Sequence, residues 1–125
     1  MSRFLLDTHV FIWWCTDDRR LGARSRKVIR NADDVFVSAA SAWEIAIKVT
    51  LGQLEFPMSV DEARRTAGFS DLPVLVTHAD AVRKLERHHA DPFDRLLITQ
   101  ARLEGLTLMT ADRALAPFQV DTAFV

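Results

Sequence analysis

Short apolar runs recur at residues 4–6, 35–37, 74–76 and 106–109, and each is separated from the next by a stretch with helical periodicity. This alternation predicts parallel strands joined by helices. Residues 118–125 add a further edge strand. Residues 21–32 read as an amphipathic helix with its basic side chains outward, and 39–51 as a more buried helix stopped at Gly52. Residues 59–68 suit a polar surface helix. Another runs from 77 or 78 to 89, with Ala79, Val82, Leu85 and Glu86 marking its two sides, and Pro57 and Pro73 punctuate loops. In Asp91-Pro92-Phe93-Asp94 the order matches a helix start, with Asp91 as N-cap and Pro92 as first helical residue, and the helix then runs to Gly105. The expected architecture is α/β, three layers in the order α/β/α around a mostly parallel sheet. No repeat, low-complexity tract or linker divides the chain.

Composition narrows the picture. A chain of 125 residues makes one domain, 1–125, large enough for a single core. With 49% hydrophobic and 26% charged residues it falls among ordinary globular proteins. The net charge of -1 excludes a uniformly basic coat, so a polyanion partner needs a local basic face. Two segments offer one: Arg19, Arg20, Arg24, Arg26, Lys27 and Arg30, and then Arg83, Lys84, Arg87, His88 and His89. Solvated helix faces are the plainer account of either. Cys15 is the sole cysteine, so no internal disulfide forms; in its apolar run it reads as a buried, inert thiol in a reducing compartment. The amino terminus lacks a basic leader, and no window approaches the roughly 20 apolar residues of a membrane helix. These features point to the cytoplasm.

Four carboxylates stand where the pattern calls for core or element ends. Asp7 closes the first strand, Glu44 lies inside an apolar helix, Asp94 follows the helix start, and Asp112 comes just after the run at 106–109. If they converge, each close pair repels by about 3 kcal/mol at ~6 Å and an effective dielectric near 20. A hard divalent cation turns that cost into a site. Ligand sites in parallel α/β sheets form beyond the carboxyl ends of the strands, where Asp7 and Asp112 both fall. Ser41, Glu44 and Lys48 form a narrow polar stripe on their helix, which serves either a polar site or a surface Glu44–Lys48 pair. For Asp91 capping is the preferred reading, since a cap needs no metal; Asp94 faces the site. An all-carboxylate set favours Mg²⁺ or Mn²⁺ over zinc, and such a cation acidifies water and offsets charge on a reacting phosphate.

Other chemistries fit less well. The glycines at 22, 52, 68 and 105 are scattered, so no phosphate-binding loop is present. His88 and His89 are adjacent, point apart on a helix, and make a poor ligand pair. His9 lies near Asp7 and offers a substrate contact, or else only begins a helix.

The segments Leu5-Leu6-Asp7-Thr8-His9, Ser38-Ala39-Ala40-Ser41-Ala42-Trp43-Glu44-Ile45, His89-Ala90-Asp91-Pro92-Phe93-Asp94-Arg95-Leu96-Leu97 and Thr110-Ala111-Asp112 resemble the PIN-domain ribonucleases, in particular the VapC-like toxins of toxin–antitoxin pairs. The resemblance spans essentially the whole chain. It implies an Mg²⁺- or Mn²⁺-dependent endoribonuclease whose metal is held by Asp7, Glu44, Asp94 and Asp112. Thr110 then positions the cluster through its hydroxyl, Arg95 and Lys48 serve as neighbouring or phosphate partners, Ser41 lies close by, and Asp91 belongs to the same motif. A homodimer is implied, as is a cognate antitoxin whose peptide covers the groove. Phe11, Trp13 and Trp14, which make the first helix apolar on more than one face, suit such a cover, with core packing accounting for at least one tryptophan. Ala90 stands where relatives often carry a basic residue, and the chain ends without a terminal tryptophan; neither departure removes a ligand.

Two other classes compete. A phosphohydrolase or receiver domain also places an acid after the first strand, but the former wants a second Asp at position 9, where His9 stands, and the latter wants an Asp ending a middle strand, where Ser38 stands. A catalytically inert RNA- or protein-binding module on the same fold requires that the acids fail to assemble.

Overall fold

The computed structural model describes residues 2–87, 89, 91–118 and 120–125. Its elements follow the order β1 (Arg3–Leu6), α1 (Thr8–Cys15), α2 (Ala23–Asn31), β2 (Asp34–Ser38), α3 (Ala39–Thr50), α4 (Val60–Ala67), β3 (Ser70–Leu72), α5 (Val76–Ala81), α6 (Pro92–Glu104), β4 (Thr107–Thr110) and β5 (Thr122–Phe124). Short 3₁₀ turns follow α5 at Val82–Lys84 and β4 at Arg113–Leu115.

The five strands form one sheet in the order β3-β2-β1-β4-β5, and every pairing is parallel. Both faces are covered, and the alternation of side chains along each strand shows how. On β1, Phe4 and Leu6 join one apolar cluster while Leu5 joins the other. On β4, Met109 and Leu108 divide the same way, and on β2 Val35 and Val37 face the first cluster while Phe36 packs on the second. The first layer is closed by α1 and α2 through Val10, Phe11, Ile12, Trp13 and Ile29; the second by α6 through Leu97, Ile98 and Ala101. α3 contributes to both, with Ile45 on one side and Ala40 on the other. The three-layer α/β/α expectation holds, and the sheet is parallel throughout the described residues.

Because all strands run one way, their carboxyl ends share one edge of the sheet. β1 ends at Leu6, β2 at Ser38 and β4 at Thr110, so Asp7, the start of α3 and the Thr110–Asp112 segment emerge side by side.

Two elements depart from the sequence reading. The apolar run at 74–76 is not a strand: β3 lies at Ser70–Leu72, and Val76 begins α5. Proline at 73 lacks the N–H a ladder needs, and Leu75 and Val76 are exposed, at 51% and 86%. The helix expected to reach 89 stops at Ala81 and passes through the 3₁₀ turn, after which Leu85 turns extended and enters the second cluster. Carbonyls that a continued helix would have used internally are taken by the Arg95 guanidinium instead, as described below. The readings that involve His88 and Ala90 lie outside the described residues.

By contrast, α6 begins as its sequence predicts. The Asp91 carboxylate accepts from the backbone N–H groups of Phe93 (2.9 Å) and Asp94 (3.1 Å), Pro92 opens the helix, and Gly105 ends it at φ 67°. A side chain at Gly105 would be strained in that left-handed conformation.

Candidate metal centre

Asp7 caps α1 only with its backbone, leaving its carboxylate free to turn along the sheet edge. There Thr110, fully buried at the end of β4, donates its hydroxyl proton to Asp7 Oδ2 at 2.6 Å. The same Thr110 Oγ accepts from the Asp112 backbone N–H at 3.0 Å. One hydroxyl therefore ties the acid after β1 to the backbone of the acid after β4. Asp112 Oδ1 in turn accepts from Ala114 N–H at 2.9 Å and starts the following turn.

Glu44 arrives from α3. It is 4% exposed, and Lys48, one turn on, donates to Glu44 Oε2 at 2.7 Å. The stripe read from the sequence thus turns inward, and the Glu44–Lys48 pair is no ordinary surface contact. Ser41, in the same stripe, is fully buried and accepts from the Thr8 hydroxyl at 2.9 Å. It locks α3 onto α1 beside Asp7.

Asp94 comes from the first turn of α6, with its side chain 18% exposed. His89 Nε2 lies 2.8 Å from Asp94 Oδ2. Among the described residues, ligand atoms of His89, Asp94 and Asp112 all fall within 4.8 Å of one another. Arg95, expected as a neighbouring or phosphate partner, turns its side chain to the backbone before α6. Its guanidinium donates to the carbonyls of Glu86 (2.9 Å), His89 (3.1 Å), Leu85 (3.3 Å) and Val82 (3.4 Å), which binds the segment before α6 onto the helix. A fork of donors aimed at four carbonyls is committed to the chain itself. Its service to the site is to hold the backbone of His89 over Asp94.

The electrostatics show crowding. Burial pushes the Asp7 carboxyl above its ordinary range, the Thr110 hydrogen bond and His9 pull it back, and the Glu44 charge adds to the rise. Asp94 is raised to about 6, chiefly by burial and next by the charge of Asp7; His89 works against this, and Asp91 adds to it. Lys48 is raised, first by its bond to Glu44, with smaller attractions from Asp91 and Asp94. Asp7, Glu44 and Asp94 therefore feel one another, and Asp112 joins Asp94 through their proximity. Two neighbouring carboxylates, Asp7 and Asp94, whose protons are held too tightly are what a hard divalent cation relieves. Carboxylate oxygen donors fit Mg²⁺ or Mn²⁺.

Two features escaped the sequence reading. His89 was set aside because an adjacent histidine pair points apart on a helix, yet His89 lies outside any helix; the signal was its position five residues before Asp94. Trp43, beside Glu44, stands 64% exposed, with its ring edge-on to Phe93 at 5.5 Å. Trp13 is buried, and Trp14 is partly buried against the same cluster. In the basic segments, Arg26 is committed to the carbonyls of Leu21, Trp13 and Asp18, whereas Arg24, Lys27 and Arg30 are exposed. Burial pushes the Cys15 thiol up to about 11, far from a nucleophile. No helix among the described residues is long and apolar enough to cross a membrane.

Comparison with known proteins places this geometry in context. The family profile of the PIN domain matches residues 4–119. The protein named Ribonuclease VapC22, from Mycobacterium tuberculosis strain H37Rv, is 33% identical, with 92% of this chain and 91% of that protein aligned. Among solved structures, VapBC2 from Rickettsia felis bound to a DNA fragment from its promoter superposes with a TM-score of 0.70 at 10% identity, covering 98% of each chain. DNA-bound VapBC from Salmonella typhimurium gives a TM-score of 0.67 at 16% identity, covering 99% of this chain and 98% of that one. At such identities the likeness is one of fold.

Proposed function

The chain belongs to the PIN-domain family, and from that premise we propose that it is a divalent-metal-dependent endoribonuclease, the toxin of a VapBC-type toxin–antitoxin pair. Asp7, Glu44, Asp94 and Asp112 would hold Mg²⁺ or Mn²⁺. The observation that carries this reading is the crowding of acids from distant segments: the Glu44 charge adds to the rise of Asp7, Asp94 is raised to about 6 by burial and by Asp7, and Asp94 and Asp112 lie close together. The ribonuclease name of a relative aligned over most of its length supports the substrate class.

A divalent ion held by these acids would acidify water near neutral pH and offset charge on the scissile phosphate. The chain's own residues do the positioning. Thr110 fixes the Asp7 carboxylate, and Asp91 shapes the first turn of α6 so that Asp94 projects from it. Lys48 balances Glu44 at 2.7 Å and places a cation at the rim, where an RNA phosphate approaches. Arg24, Lys27 and Arg30 add positive charge on α2, and weak local basicity suits a chain whose net charge is only -1.

The remaining parts of the reading follow the family. The chain acts as a single domain, works in the cytoplasm as a homodimer, and is silenced by a cognate antitoxin; the VapBC assemblies among its fold neighbours support a protein partner. Purified protein should cleave RNA with Mg²⁺ or Mn²⁺, stop on addition of chelator, and lose cleavage in Asp94→Asn. Calorimetric titration separates the alternatives: heat on adding Mn²⁺ is expected, and no heat at any concentration would identify an inert binding module.

A further inference from the structure

We propose that His89 is a direct ligand of the metal held by Asp94 and Asp112, and that it biases the site toward Mn²⁺ over Mg²⁺. The inference rests on the metal-site reading above and adds a nitrogen donor to it.

Geometry carries the assignment. Neighbouring ligands around an ion about 2.1 Å away stand about 3 Å apart, and opposite ones about 4.2 Å. His89 Nε2 and Asp94 Oδ2 are 2.8 Å apart, and with Asp112 all three ligand atoms fit within 4.8 Å. Two of the three are therefore already spaced as adjacent ligands. The imidazole is also held there: Arg95, the residue after Asp94, donates from Nη1 to the His89 carbonyl at 3.1 Å. The first turn of α6 thus carries one ligand and anchors the backbone of the other.

Among the described residues, the other imidazoles, those of His78 and His9, lack this arrangement. His78 is buried, but Nδ1 accepts from Leu75 N–H at 3.0 Å and Nε2 meets Glu104 at 3.0 Å, so it serves the α5–α6 packing. His9 is exposed on α1 and leans on Trp13, with ring centroids 6.1 Å apart.

Selectivity follows from donor chemistry. Carboxylate and water suit both cations, but imidazole suits Mn²⁺, the transition metal, far better than Mg²⁺, which keeps its oxygen shell. The competing account makes His89 only a counter-charge for Asp94. The two differ in sign: removing a ligand weakens cation binding, whereas removing a competing positive charge tightens it.

The test uses the full chain, freed of metal, titrated with MnCl₂ and with MgCl₂ in parent and His89→Asn. Mn²⁺ affinity is expected to fall at least about tenfold, and Mg²⁺ affinity less than about threefold. Pulsed EPR of Mn²⁺ bound to the parent should show nitrogen-14 modulation that persists in His9→Asn and disappears in His89→Asn. If His89→Asn does not fold, persistence of the modulation in His9→Asn and its loss in His89→Gln decide the point. Equal losses for the two cations, tighter binding, or no nitrogen coupling in a parent that binds Mn²⁺ would overturn the ligand assignment alone. A parent that binds neither cation would overturn the metal-site reading and this inference with it.

Discussion

The Thr110 hydroxyl and the Asp7 carboxylate meet at 2.6 Å although 103 positions separate them in the chain. Adjacent parallel strands make this possible: β1 and β4 pair with Leu6 opposite Met109, so the residue after each arrives at the same edge. The oxygen that donates to Asp7 also accepts from Asp112 N–H, which makes Thr110 a single bridge between two of the four acids.

Thr110→Val keeps the shape and removes the bridge. A part-buried N–H and a buried carboxylate each lose a partner, which costs up to about 1–3 kcal/mol per group. The expected result is a lower melting temperature and weaker Mn²⁺ binding. Thr110→Ser restores the hydroxyl and should recover most of both. Equal behaviour of the Val and Ser variants by calorimetry would remove the bridge from the account.

The acids themselves should behave in the opposite way. In chelated buffer near neutral pH, Asp7→Asn and Asp94→Asn each remove a crowded buried charge while keeping an acceptor of the same shape. Each variant is expected to be as stable as the parent or more so, by up to about 3 kcal/mol, while RNA cleavage with Mn²⁺ falls about a hundredfold or more. Urea melts and a cleavage assay on the same samples check this. A clear loss of stability under chelation would mean that these carboxylates are structural.

How much of this was legible beforehand depends on the range of each cause. Alternating apolar runs and the Asp91–Pro92 helix start are local signals, and β1, β2, β4, α3 and α6 follow them. The run at 74–76 misled because apolar composition says nothing about burial, and Val76 is 86% exposed. The four acids were legible as misfits to the apolar pattern. His89 was not, since its place beside Asp94 goes with the Arg95 guanidinium bonded to the carbonyls of Val82, Leu85, Glu86 and His89, a side-chain effect that periodicity does not register. The burial of Ser41 likewise depends on Thr8, 33 positions away.

Arg95 provides a test of that side-chain effect. Four carbonyls from Val82 to His89 share its guanidinium. Arg95→Met leaves those carbonyls without their charged donor and should cost about 3 kcal/mol. Hydrogen exchange should quicken across residues 82–89 more than in α3 or the sheet. Uniform acceleration over the whole chain would mean that Arg95 supports global stability and not this segment.

Acid titration of the metal-free protein gives the remaining prediction. Asp94 moves from an ordinary 3.8 to about 6 on folding, because burial and the neighbouring Asp7 disfavour its charge. Between those two values the folded state binds more protons than the unfolded one, so stability must fall as pH rises through that window. The full effect is about 3 kcal/mol, reduced to about 2 by the 18% of the side chain that remains exposed. Asp7, also raised, acts in the same direction. Asp18 and Asp61 are lowered by their arginine partners and act in the opposite direction, but both are exposed to solvent and screened. Asparagine at 94 cannot titrate, so the stability gained in Asp94→Asn should be small at pH 4, grow between about pH 4 and 6, and level off above. Urea melts of parent and variant in chelator, taken at half-unit pH steps, measure that difference directly. A flat difference across the window would show that Asp94 does not carry the crowded charge, and the cation would then have no strained carboxylate to relieve at that position.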